Sequence, residues 1–167
     1  MNMHTTSHRE LQEELIDTKA LVLGISKYIE KKRNQQRYFD IFITLLASGG
    51  SLFFFKEKYV TFLSILLIAL ASIAKVILDS EQNLVKLDRL WCRQNSYCND
   101  LQNIYSKVYN GHLSEIEYHD EFYRLKKEYS SDLAEINELT HGDSGEFAKI
   151  YREEADYYYK RKFPITK

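Results

Sequence analysis

The sequence predicts an all-α protein: a transmembrane helical hairpin continuous with long cytosolic helices that form an antiparallel helical bundle. Three observations lead there. Residues 38–78 hold two apolar segments separated only by Lys56, Glu57 and Lys58. The chain on either side carries apolar residues at steps of three and four, the period of a helix face. No stretch alternates as a strand would, and no internal repeat or low-complexity tract interrupts the pattern. The expected division is an N-terminal cytosolic amphipathic helix over 1–37, the hairpin over 38–78 and a C-terminal cytosolic helical region over 79–167.

Ser7 followed by Glu10 has the form of a capping box and predicts a helix starting near His8. Leu11, Leu15, Thr18, Val22, Ile25 and Ile29 then mark the face on which that helix packs against another. Gly24 is its one weak point, and residues 30–37 lead straight into the first apolar segment.

That segment, residues 38–55, has 18 residues with one charge, Asp40. At helical rise it is roughly 27 Å long, close to a hydrocarbon core of about 30 Å. The second, residues 59–74, extends through Lys75 to Val76, Ile77 and Leu78, and a lysine so near the end can snorkel to the headgroups. Tyr38, Phe39, Phe53, Phe54, Phe55, Tyr59 and Phe62 cluster at the two ends, where interfacial tyrosines anchor. The alternative is a buried hairpin in a soluble bundle, but soluble helices keep a polar face and these have almost none.

Residues 30–37 include four Lys or Arg, the loop between the segments only Lys56 and Lys58, and Lys75, Lys86, Arg89 and Arg93 follow the hairpin. The positive-inside rule therefore places both termini in the cytoplasm, with the basic block near lipid headgroups. Without a membrane that block is a solvated helix face. The first residues lack an apolar h-region and a small-residue cleavage site, so the hairpin is expected to remain uncleaved.

After the hairpin, Leu84, Leu87, Trp91, Gln94, Cys98, Leu101, Tyr105 and Val108 step by three and four. Such a run is either an intramolecular core or a coiled-coil seam; in the second case Leu84, Leu87, Trp91, Cys98, Leu101 and Tyr105 form a cytosolic oligomer seam. By connectivity its antiparallel neighbour is the N-terminal helix. Gln94 is either a register-setting contact or a partly exposed side chain. Asn110 and Gly111 end this helix, and Ser114 with Glu117 caps the next, whose stripe is Tyr118, Phe122, Leu125, Tyr129, Leu133 and Ile136. Residues 140–145 read as a turn cluster. A last helix from about Glu146 to Lys162 carries Phe147, Ile150, Tyr151, Ala155 and Tyr158 and stops before Pro164.

A net charge of -1 argues against nucleic-acid binding, and the mean hydropathy of -0.43 averages one apolar quarter with polar flanks. Cys92 and Cys98 are spaced so that they lie on different sides of a helix, where no mutual disulfide closes, and are expected as reduced thiols. They and the scattered histidines show no metal-ligand spacing. His112, His119 and Asp120 near a helix start do not amount to a catalytic constellation. Gly49 and Gly50 sit inside an apolar helix with no phosphate-loop continuation. Tyr157, Tyr158 and Tyr159 fit an amphipathic helix end better than a stacking platform. Neither an enzyme nor a cofactor is expected.

Within the hairpin the informative residues are small. Thr44, Ala47, Ser48 and Ser51 share a side of the first segment with Gly49 and Gly50 beside them, and Thr61, Ser64, Ala71, Ser72 and Lys75 make a stripe on the second, interrupted by Ile68. In lipid such faces permit close helix approach. Thr44, Ser48, Gly49, Gly50, Ser51, Thr61, Ser64, Ser72 and Lys75 are thus candidate pore or helix-packing residues. A monomer encloses no pore, so conduction requires oligomers.

This layout is an N-terminal helix ending in the basic run 31–37, a tight hairpin, a helix over 75–101 with Leu84, Leu87, Leu90 and Trp91, and further cytosolic helices. It resembles the SLATT family of bacterial two-transmembrane effector domains, found beside nucleotide-signal-producing or nucleotide-sensing proteins in defence systems. The resemblance covers about residues 11–159 and is one of architecture, with no diagnostic motif. It implies a homo-oligomer in the bacterial inner membrane that perturbs or permeabilises it after an upstream antiphage or nucleotide-signal trigger. Membrane lipid and a nucleotide-signalling or sensor protein are the implied partners. The chain has no obvious nucleotide-binding module of its own, so the trigger is expected from a separate protein or a small ligand bound by the cytosolic helices. The competing expectation is a non-conducting membrane scaffold that recruits a cytosolic partner through the helices after Asp79.

Overall fold

The computed structural model of the chain describes residues 3–53, 58–77 and 81–163. Within these, the side chains of residues 3–8, 46, 47, 49–53, 58–61, 63, 64, 74–77, 115 and 147 lie outside the description. Among the described residues every regular element is a helix: α1 (Met3–Phe53), α2 (Lys58–Ile77), α3 (Glu81–Tyr109), α4 (Glu115–Leu139) and α5 (Asp143–Lys162). The chain divides into two compact units, one of Met1–Lys27 with Lys86–Lys167 and one of Tyr28–Val85.

Two helix starts differ from expectation. α1 begins at Met3, so Ser7 lies inside the helix instead of capping it near His8. α5 begins at Asp143, which puts Asp143, Ser144 and Gly145 in its first turn instead of in a connecting loop. Asp143 and Glu146 then lie where the positive end of the helix dipole favours carboxylates. α1 continues unbroken through Arg37; Asp79 lies outside the described residues.

The first unit is a helical bundle whose directions follow from its cross-helix pairs. The Trp91 indole N–H donates to the Val22 carbonyl at 3.1 Å, and the Tyr97 hydroxyl donates to Glu14 at 3.2 Å, so α3 runs antiparallel to α1. Tyr97 also stacks on Tyr129 while Arg93 bonds Asp132, which makes α4 antiparallel to α3. Leu11, Leu15, Leu101, Ile104 and Phe122 are fully enclosed where these faces meet, at about 1.5–3 kcal/mol for each large apolar side chain taken from water.

Both connections after α3 use the same closure. His112 N–H donates to Lys107 and Gly111 N–H to Val108 at the end of α3; Gly142 N–H donates to Asn137 and His141 N–H to Glu138 at the end of α4. Each pair is a Schellman motif, which needs a left-handed residue at its first position past the cap. Gly111 supplies it at φ +70 without a Cβ penalty, and His141 supplies it at φ +54 with one. The expected capping box at Ser114 and Glu117 is present on both sides.

On α4 the expected inward stripe is broken at one place. Leu133 is 48% exposed while its neighbour Asp132 is buried, because Arg93 and Gln94 on α3 present donors to that carboxylate. In the second unit, Tyr28, Ile29, Ala71 and Leu84 are buried.

Candidate functional site

The feature that sets the second unit apart is the amount of apolar surface it leaves in the open. Tyr38, Ile41, Phe42 and Leu45 on α1 and Phe62, Ile65, Leu66, Leu67, Leu70 and Ile73 on α2 are all exposed. At about 100° per residue, the exposed positions 62, 65–67, 69, 70, 72 and 73 sweep roughly 220° of the α2 circumference, and among the described side chains those of Ile68 and Ala71 on the remaining face are less exposed. Among the described residues no helix is long and apolar enough to cross a membrane. The hairpin singled out in the sequence, residues 38–78, includes residues 54–57 and 78, which lie outside the described residues.

Thr44, Ser48 and Ser72 are exposed, and each hydroxyl donates to the carbonyl four residues back in its own helix: Thr44 to Asp40 at 2.7 Å, Ser48 to Thr44 at 2.7 Å and Ser72 to Ile68 at 2.8 Å. This local bonding satisfies each hydroxyl's own proton within its helix. The side chains of Ser51, Thr61, Ser64 and Lys75, and the surroundings of Gly49 and Gly50, lie outside the description.

Of the candidate seam on α3, Cys98 and Leu101 are almost wholly buried in the chain's own bundle, with Trp91 and Tyr105 half-buried against that core, and Leu87 is likewise almost wholly buried. Leu84 is buried in the second unit. Leu87, Cys98 and Leu101 are thus enclosed by the chain's own side chains. Gln94 is a buried contact, its amide nitrogen 3.5 Å from Asp132. Cys98 faces the Tyr159 hydroxyl at 3.3 Å, and burial pushes its thiol up, so it stays protonated and unreactive. Cys92 is exposed and free.

A cleft of about 410 Å3, which no motif or spacing announces, lies between α1, α3, α4 and α5. Leu21, Tyr97, Tyr129, Leu133 and Ala148 give it apolar walls, Thr18, Gln94 and Ser144 are its most deeply buried polar lining, and Glu14, Asp17 and Lys126 stand at the more exposed side. Glu14 accepts from Lys126 at 2.9 Å and from Tyr97, and Asp17 pairs with Arg152 at 2.9 Å. Burial raises Asp17 above the ordinary carboxylate range against the pull of Arg152, with Glu14 and Glu13 adding to the rise. Its side chain remains half exposed, so solvent screens the effect. The hydrogen bond to Glu14 holds Lys126 up, and burial followed by the Glu14 charge keeps the Tyr97 phenol neutral.

Among the described residues the histidines do not assemble a centre. His112 is exposed in the turn after α3, and the His119 ring stacks beside Tyr118 and Tyr123. Among the described residues no group of three or more His, Cys, Asp or Glu is placed to hold a metal. Of the C-terminal tyrosines only Tyr159 turns inward, to Cys98 and Gln102; Tyr157 and Tyr158 are exposed.

Comparison with family models, with curated proteins and with solved structures returns no match to this chain.

Proposed function

We propose that residues 38–78 insert into a bilayer as a helical hairpin and that the chain is a membrane effector, oligomerising there and perturbing or permeabilising the membrane. The observation that carries this reading is the apolar surface around most of α2 and on the outer part of α1. At about 25 cal/mol per Å2, large apolar side chains left in water on this scale are costly, and acyl chains relieve that cost on all sides of a helix at once. Lys31, Arg33 and Arg37, exposed on α1 just ahead of this surface, suit anionic headgroups. The layout shared with the SLATT family supports an inner-membrane location, a homo-oligomer and an upstream nucleotide-signal or sensor partner.

A second reading has its own observation. Thr44, Ser48 and Ser72 already donate to their own backbones, as hydroxyls on a lipid-facing helix do, and this suits a non-conducting anchor that recruits a cytosolic partner through its helical region. Reconstitution separates the two. A conducting effector releases a trapped dye from vesicles as the protein-to-lipid ratio rises, and a scaffold co-floats with the vesicles without releasing it. A chain that stays in the aqueous fraction of the flotation gradient refutes both.

A further inference from the structure

We propose that the cleft between α1, α3, α4 and α5 binds a small organic amine, a molecule with one protonated nitrogen on an apolar body of aromatic size. Its volume of about 410 Å3 lies within the range of ligand pockets, about 300–1,000 Å3. Thr18 and Gln94 line it while being only 5% and 4% exposed. Asp132 is an acceptor-only carboxylate, so it turns the Gln94 amide nitrogen toward itself and leaves the carbonyl oxygen as the free end. Neither that oxygen nor the Thr18 hydroxyl has a hydrogen-bond partner among the described residues. No fully enclosed side-chain nitrogen or oxygen there lacks one, so both atoms open onto the cleft.

The Gln94 oxygen can only accept, and the Thr18 hydroxyl can accept as well as donate, so an ammonium group with its three N–H bonds can satisfy both. The lining disfavours an anion: Lys126, its one basic residue, is already paired with Glu14, and Asp17 is paired with Arg152, so an incoming phosphate or carboxylate is offered no spare cation there. Tyr129, Leu21 and Ala148 supply the apolar wall for the body of the molecule, and the Tyr129 face can take a ring.

The site lies wholly within the helical bundle and does not depend on the membrane reading, which its failure would leave untouched. The test is 19F NMR of 5-fluorotryptamine added to the 167-residue chain in detergent micelles, with empty micelles and the anion 5-fluoroindole-3-acetate as comparisons. Saturable broadening of the amine is expected, weakened about tenfold by Thr18→Val, which keeps the shape and removes the hydroxyl, and lost in Ala148→Trp, which fills the cleft. Circular dichroism confirms that each variant is folded; should Ala148→Trp unfold, Thr18→Val and the anion comparison still decide. The proposal is overturned if the amine does not saturate, if empty micelles broaden it equally, if the anion binds as tightly, or if Thr18→Val leaves the affinity unchanged.

Discussion

The residue that most clearly works against its own conformation is His141. It holds φ +54 so that the Schellman closure of α4 can form, in the place where Gly111 closes α3. His141→Gly is therefore expected to raise stability by about 0.5–1 kcal/mol, the left-handed penalty less the extra freedom of glycine in the unfolded chain, measured as a higher urea midpoint. Asp17 gives a pH signature. Its folded-state pKa is raised, so the folded chain holds that proton more tightly than the unfolded chain, and the resulting stability is present below the ordinary carboxyl pKa and lost as pH rises through the raised value. Asp17→Asn should remove this dependence, so that the wild type gains on the variant between pH 7 and pH 4 in paired urea titrations. Glu117, held low by the Ser114 hydroxyl and backbone N–H, works in the opposite sense, contributing stability at neutral pH that fades on acidification.

At the scale of elements, much of the helical layout can be read from the chain. The steps of three and four through Leu87, Cys98 and Leu101 mark the face that α3 buries, and Ser114 with Glu117 marks the start of α4. The misses have physical causes. A periodic pattern names apolar positions, but Asp132 displaces Leu133 from the interior because two donors on another helix compensate a buried carboxylate. The start of α5 was obscured because Asp143, Ser144 and Gly145 are turn formers by type. Here Ser144 is instead held by its N–H to the Thr140 hydroxyl and by its own hydroxyl to Asn137. The cleft was illegible because pattern reading assumes that facing stripes fill the space between them, whereas Ser130, Ser144, Gly145 and Ala148 are too small to do so. α2 carries the prediction that bears on the membrane: Leu66→Lys with Leu70→Lys places two charges on its exposed arc. If acyl chains cover that arc, the double variant should shift from the carbonate-resistant membrane pellet to the supernatant.

Taken whole, the molecule joins two units that follow opposite rules of burial. In the bundle, Leu11, Leu101 and Phe122 are fully enclosed and polar contacts such as Lys126 with Glu14 lie toward the outside; in the unit over Tyr28–Val85, large apolar side chains such as Phe42, Phe62 and Leu70 are exposed. A mean hydropathy of -0.43 conceals that division, and the two windows of residues 38–55 and 59–78 disclose it. The contact of Trp91 with the Val22 carbonyl also makes the bundle observable in solution. The chain has one tryptophan, half-buried against the core with its indole N–H bonded to α1, so its emission reports a single place, the junction of α1 with α3. Any trigger that draws α1 away from α3 should wet that indole and move its fluorescence to longer wavelength. A spectrum that stays constant through activation would show the junction intact, without any label having been added.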